Sequence, residues 1–362
     1  MAANLSPSHS GLKIFHVLFS RGFAGSERST AESCNQQCQQ HDVTLIIRTG
    51  HTKNGASIRP HLDPKVKVIE ISNKWFTRWR LNKLIKQYKP DIIHCHLRRS
   101  TRVISKINPP VASVSTLHIR VNGQGFNKMT GLICNARWQI KEIENTYSGL
   151  IFKANNSLVP HPPISQQQKA ELRQSLGLND NDYLIAAVGR YHASKAWDTL
   201  IKAFKQVPTA ANVKLKFFGS GSLENELKHL AKGDPRIEFV GFRKDIKDLY
   251  QCFDLLVCPS RFEPLPRVML EAYDGGVPII ASDEGGCKEL IEDYGGYLFK
   301  VDNIDQLSEQ LKFCIEQKPA RYKPDLTAHY VTNANAQIVE FYHQCIAAKS
   351  AELSAKAIIK AL

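Results

Sequence analysis

Short apolar runs, each followed by a segment of helical length, recur along this chain in two arrays. The first array has runs at 12–19, 43–47, 66–71 and 91–96, with shorter candidates at 114–117 and 131–134. The second has runs at 183–188, 213–218, 237–240, 255–257 and 277–281. Strands that alternate with helices form a mostly parallel sheet covered on both faces, so they read as continuous apolar runs. Between the arrays stands Val159-Pro-His-Pro-Pro163. Proline lacks the N–H that a ladder needs and restricts the residue before it, so neither element continues there. The 362 residues therefore read as two α/β domains, 1–163 and 164–335, followed by a terminal helical segment, 336–362.

Composition narrows the function classes. No run of 18 apolar residues occurs, so no membrane-spanning helix is expected. The first ten residues lack the basic-then-apolar pattern of a secretion signal and read as a lead-in. Nine scattered cysteines with no Cys-x-x-Cys point to reduced thiols and a cytoplasmic setting. The charge is lopsided. Residues 1–165 hold 23 Lys and Arg against 8 Asp and Glu; the remainder holds 25 against 26, which together give the net +14. The first half is thus aimed at an anionic surface or polymer.

The chemistry concentrates in Arg261-Phe-Glu-Pro-Leu-Pro-Arg-Val-Met-Leu-Glu-Ala-Tyr273. Glu263 falls in the loop after a strand. Glu271 falls about a turn inside a helix whose first turn Pro266 can open. The free N–H groups at such a mouth favour phosphate, so Leu265, Pro266, Arg267 and Val268 are expected to line the donor. Two carboxylates flanking a phosphate seat suit a ligand with hydroxyls on either side of a diphosphate, which describes a nucleotide sugar. A solvated acidic pair near a helix start is the alternative. The segment runs on to a short strand and a Gly285-Gly286 loop.

This stretch resembles the signature of the retaining glycosyltransferases of family four (glycosyl transferases group 1), of the lipopolysaccharide-core type. Family members carry two glutamates eight positions apart, then a Gly-x-Pro strand and a Gly-Gly loop. Pro264 and Pro266 replace glycines common there. The resemblance implies the GT-B fold, two Rossmann-like α/β domains facing across a cleft, with the last helix crossing back to the first domain. It implies no cofactor and no metal, a nucleotide sugar as donor, with a UDP-sugar favoured, and Glu271 on the ribose. Arg190 and Lys195 in Gly189-Arg-Tyr-His-Ala-Ser-Lys195 match the family's diphosphate-holding pair. Fixed cations there would favour the charge that builds on a departing diphosphate. Glu263 and His118 are expected to orient the transferred sugar. Gly22 and Gly25 resemble the family's first glycine loop, and Gly219 a nucleotide-side loop. Gly241, Phe242 and Arg243 lie where the family contacts the base, and Gly285 and Gly286 are expected to line the diphosphate.

Two metal-like patterns are set aside. Asp180-Asn-Asp182 sits in a turn before a strand, where turn chemistry accounts for it. His94 and His96 share one strand face, but no third ligand is evident from the sequence.

A basic, aromatic helix is expected over 74–89, capped by Ser72 or Asn73 and stopped at Pro90. Leu81, Leu84, Ile85 and Tyr88 gather on the face that packs on the sheet. Trp75, Phe76 and Trp79 gather elsewhere among Arg80, Lys83 and Lys86, a stripe suited to an anionic membrane surface. A solvated basic face is the alternative. The chain thus reads as a transferase that moves a sugar to a lipid-linked phosphorylated oligosaccharide at the inner face of the cytoplasmic membrane. Other envelope glycans (capsular, teichoic or polyprenyl-linked) are alternatives, and so is a basic polyanion-binding protein. No nucleic-acid module is visible, and no nucleic-acid partner is expected.

Overall fold

A computed structural model of the chain describes residues 11–53, 55–72, 76–118, 120–121, 123–143, 145–208 and 212–361. It divides into two units: the residues up to Ser157 together with those from Val331 on, and Leu158–Tyr330.

The first unit carries the strands β1 (Lys13–Leu18), β2 (Asp42–Arg48), β3 (Lys67–Ile71), β4 (Ile92–His96), β5 (Ala112–Leu117), β6 (Gly131–Cys134) and β7 (Leu150–Lys153). All pair in parallel, in the order β3-β2-β1-β4-β5-β6-β7. The helices are α1 (Gly25–Gln37), α2 (Thr77–Tyr88), α3 (Leu97–Ile107) and α4 (Arg137–Lys141), joined by the last helix of the chain. Successive side chains of a strand point to opposite faces. So Ile14 and Leu18 pack with Ala31 and Cys34 of α1, while Phe15 and Val17 pack with Leu81 and Ile85 of α2 and Ile104 of α3.

The second unit repeats the plan. Its strands are β8 (Tyr183–Val188), β9 (Val213–Phe218), β10 (Ile237–Gly241), β11 (Leu255–Cys258), β12 (Ile279–Ser282) and β13 (Tyr297–Phe299), parallel in the order β10-β9-β8-β11-β12-β13. Its helices are α5 (Gln166–Ser175), α6 (Trp197–Lys205), α7 (Glu224–Ala231), α8 (Ile246–Leu249), α9 (Arg267–Asp274), α10 (Gly285–Tyr294) and α11 (Ile304–Gln317). Ser165 caps α5 by accepting from the Gln168 N–H. The last helix, α12 (Val331–Ala361), lays Ile338, Phe341, Tyr342 and Cys345 into the first unit's core, at the 3–4 spacing of one helix face. Each such side chain contributes about 2 kcal/mol on burial.

β7 and β13 were not legible in the sequence; β7 is half-exposed and β13 spans three residues. Four expectations need correction. The basic helix begins at Thr77 with Phe76 at its N-cap rather than Ser72 or Asn73, and the Thr77 hydroxyl donates to the Ser72 carbonyl at 2.9 Å. Trp75, Lys74 and Asn73 lie outside the described residues. Tyr88 is exposed rather than part of that helix's core face, though its ring touches Phe15. Pro266 is the N-cap of α9 rather than a first-turn residue, and the Gly285-Gly286 loop is the first turn of α10.

Candidate donor site and the histidine chain

In both sheets the strand order reverses direction once, between β1 and β4 and between β8 and β11. Loops leaving the carboxyl ends of strands at such a point diverge and open a crevice for ligands. The residues singled out in the second half all leave that edge. Arg190 and Lys195 follow β8, Gly219 follows β9, Gly241 ends β10, Glu263 follows β11, and Gly285 and Gly286 follow β12.

Lys195 ends a single 3-10 turn, Ala193–Lys195, which the His192 ring caps by accepting from the Ser194 N–H at 3.2 Å. Its ammonium is paired with the Glu263 carboxylate, and both side chains are mostly buried. Burial pulls the Lys195 ammonium down, but Glu263 and then Cys258 outweigh it, so the net shift is upward. Lys195 is therefore held in its charged form. Arg190 is exposed, and its side chain has no ion pair or hydrogen bond among the described residues; its carbonyl is held by the Trp197 indole N–H at 3.1 Å.

Arg261 is a residue that sequence reasoning gave no role. Its guanidinium donates to Asp302 at 2.8 Å, to Asp198 at 2.8 Å and to the Ala193 carbonyl at 2.7 Å, while its own N–H donates to the Ser194 carbonyl. These contacts bind the loop carrying Glu263 to the turn carrying Lys195. The two aspartates hold the Arg261 guanidinium still more firmly protonated. Only the fold brings Asp198 and Asp302 together, so no local signal marked it.

Two helix starts converge on that loop. The Gly286 N–H of α10 donates to the Glu263 carbonyl at 3.0 Å. A Cβ at Gly286 would lie 2.1 Å from the Pro264 oxygen, so only glycine fits. Neither N-cap residue, Pro266 of α9 or Glu284 of α10, caps its helix with its own side chain. Leu265 and Pro266 are buried, Arg267 and Val268 half-buried, and Glu271 sits at 9% exposure on the second turn of α9. Two helix N-termini beside a lysine and two carboxylates can hold a diphosphate and bind hydroxyls next to it.

The other glycines have nearer explanations. At Gly219 a Cβ would lie 2.0 Å from the Gly189 oxygen, so the loops after β8 and β9 touch backbone to backbone. The Arg243 guanidinium is bound by Asp245 at 2.8 and 2.5 Å, which fixes its own turn. Phe242 is 75% exposed.

In the first unit, Gly22 has φ +83° and donates its N–H to the His51 carbonyl, while Gly25 starts α1 with open space where a Cβ would sit. His118 follows β5, is half-buried, and ends a chain whose other members are buried. Asn335 donates to the Val331 carbonyl at 2.8 Å, which leaves its oxygen to accept from the Gln37 amide at 3.0 Å. The Gln37 oxygen then accepts from His16 Nε2 at 2.9 Å. His16 Nδ1 must accept from His96 Nε2 at 2.9 Å, and His96 Nδ1 from His118 Nε2 at 3.3 Å. Each neutral imidazole has one donor and one acceptor, so the order propagates. It leaves His118 Nδ1 as an acceptor. Burial pushes His16 and His118 down to about 4, weakly opposed by the Gln37 bond and by Glu27 respectively. His94 and His96 are pushed well below the usual range by burial and then by the neighbouring histidines.

The sequence showed no third metal-type side chain beside His94 and His96; the fold supplies His16 from β1, with ligand atoms of all three within 4.8 Å. His94 is bonded at both nitrogens, to Tyr342 and Thr116, each at 2.6 Å. The His16 and His96 rings stack rather than aim at one point. The group is a hydrogen-bond chain.

Two family models match successive parts of the chain: Glycosyltransferase Family 4 over residues 23–148 and Glycosyl transferases group 1 over residues 168–337. With the two parallel sheets, they place the chain among the group 1, family 4 glycosyltransferases of GT-B type. An uncharacterized glycosyltransferase of Methanocaldococcus jannaschii is 34% identical over 36% of this chain and 34% of its own length. The UDP-Gal:alpha-D-GlcNAc-diphosphoundecaprenol alpha-1,3-galactosyltransferase of Escherichia coli is 25% identical over 85% of this chain and 89% of its own. Anabaena HepE, solved with UDP and glucose, superposes with a TM-score of 0.76 at 22% identity, covering 91% of this chain and 99% of HepE, which is a likeness of fold.

Proposed function

We propose that the chain is a retaining, metal-independent glycosyltransferase that moves a sugar from a nucleotide donor to a lipid-anchored anionic glycan, with the lipopolysaccharide or lipooligosaccharide core as acceptor. The observation that carries this is the Lys195–Glu263 pair on loops that leave the carboxyl edge of the second sheet, with α9 and α10 starting from the same edge and Glu271 on α9. Glu271 takes the ribose hydroxyls. The donor's diphosphate meets Arg190 and Lys195, drawing Lys195 partly off Glu263. Glu263 is then released to a sugar hydroxyl. Cations fixed before the reaction stabilise the departing nucleoside diphosphate; removing one such contact typically costs about 3 kcal/mol of barrier. The acceptor hydroxyl attacks from the face that the diphosphate leaves, which retains the anomeric configuration without a protein nucleophile. His118 offers its Nδ1 lone pair to a sugar hydroxyl. UDP is the favoured nucleotide, since HepE binds it on the same fold.

The basic first half supports an anionic acceptor. Phe76 and Trp79 are 65% and 63% exposed on and beside α2, with Lys83 5.7 Å from the Trp79 ring centroid and Arg80 and Lys86 exposed nearby. Aromatic and basic side chains on one exposed helix suit the headgroup layer, so we place the enzyme peripherally at the inner face of the cytoplasmic membrane. Among the described residues no helix is long and apolar enough to cross a membrane. A polyprenyl-diphosphate-linked acceptor is the second reading, favoured by the substrate named for the Escherichia coli relative. Purified protein is incubated with a panel of nucleotide sugars and both acceptor classes. Lys195→Ala and Glu271→Ala should each abolish transfer with the fold intact, and chelator should leave the wild type active. Near-normal turnover in either variant refutes the assigned roles.

A further inference from the structure

A second feature of the first unit is a pocket of about 290 Å³ between α3 and the loop 123–128. Arg98, Arg102 and Lys106 reach it from α3, and Lys128 from the loop. The three helical cations stand four residues apart in turn, so they share a face. Phe126 and Met129, both buried in the core that Ile104 also joins, pin the loop to the helix. Gly125 brings the loop so close that a Cβ there would lie 3.2 Å from the Ser105 hydroxyl.

This arrangement is unfavourable for the protein alone. Like charges four apart weaken a helix, and Arg98 in the first turn opposes the helix dipole. The first turn of α3 has no acidic residue to offset it. Among the described residues, none of these four cations has an ion pair or a side-chain hydrogen bond. A sequence that keeps such a local conflict points to something that compensates for it outside the chain.

We infer that this pocket binds a phosphate or diphosphate group of the acceptor, an inference that rests on the anionic acceptor proposed above. Arginine forks fit phosphate oxygens two at a time. The volume is at the small end of ligand pockets, roughly 300 Å³, and suits a phosphate headgroup rather than a polymer. Its one aromatic lining residue, Phe126, is buried in the core, so it offers no platform for stacking bases. The neighbouring helix α2, which packs against α3, carries exposed Trp79, which is consistent with a phosphate on a lipid carrier.

The test is a calorimetric titration of the full chain with pyrophosphate. Wild type, Arg98→Gln/Arg102→Gln and Lys195→Met are compared. Arg98 and Arg102 are exposed, so that fold should survive; Lys195 is mostly buried against Glu263, and circular dichroism checks both variants. The pocket predicts affinity about tenfold weaker for each α3 cation removed. Lys195→Met keeps that site and loses only binding at the donor loops. Phosphatidylcholine vesicles with and without phosphatidic acid supply the second arm. Retention of the wild type but not of Arg98→Gln/Arg102→Gln on the phosphatidic acid vesicles assigns the group to a lipid. A response to pyrophosphate alone assigns it to a soluble phosphorylated sugar. Equal pyrophosphate binding by wild type and the double variant overturns the inference, as does loss of all binding in Lys195→Met or tighter binding of a single-stranded oligonucleotide. Pyrophosphate binding needs no turnover, so a failure here is distinct from a failure of the transferase reading.

Discussion

Mild acid should unfold the first unit through its histidine chain. His16 and His118 ionise near 4 in the fold, against about 6.5 in an open chain, with burial the leading cause at both. Between those values the unfolded chain takes up protons that the native state refuses. Stability is therefore fully present above pH 6.5 and is lost as pH falls towards 4. A shift of about 2.5 units corresponds to about 3 kcal/mol for each histidine, of which about 2 is lost by pH 5. The pair alone removes about 4 kcal/mol between pH 7 and pH 5, and His94 and His96 act with the same sign. A domain holds only about 5–15 kcal/mol in total, so this is enough to bring it close to melting. Urea unfolding at pH 7, 6 and 5, with hydrogen exchange resolved by residue, separates the first unit from Leu158–Tyr330. His16→Gln removes one titrating group and should lower the slope by about 1.4 kcal/mol per pH unit, whatever it does to stability at neutral pH. A free energy of unfolding that moves by less than about 1 kcal/mol from pH 7 to pH 5, or an unchanged slope in His16→Gln, would falsify the assignment of neutral, buried histidines.

Two further outcomes follow from the site and the surface. Gly286→Ala should destabilise the second unit by about 1–3 kcal/mol, read from the urea midpoint, and should weaken nucleotide-sugar binding by displacing the Glu263 loop; a neutral result would show that α10 does not press on that loop. Replacing Phe76 and Trp79 by serine should reduce sedimentation with anionic vesicles and spare turnover on a soluble acceptor, and unchanged vesicle binding would dismiss the membrane stripe.

Local rules carry far in this chain. The apolar runs at 12–19 and 183–188 form central strands because burial on both faces needs only a continuous apolar segment. Helix starts at Ser165 and Gly25 follow from residues close to them in sequence. The Glu263 and Glu271 spacing puts one carboxylate before α9 and one within it for the same reason. Short edge strands such as β13 carry too few residues for periodicity to show.

What sequence alone determined is the alternation of elements, and with it two parallel sheets and the edge from which the ligand-facing loops depart. Tertiary structure decided which side chains meet: Lys195 with Glu263, Arg261 with both Asp198 and Asp302, and His16 with His96 on neighbouring strands though 80 positions apart in sequence. Backbone periodicity is set by neighbours a few residues away, whereas the protonation and pairing of a buried group depend on partners that only chain closure brings within hydrogen-bond reach.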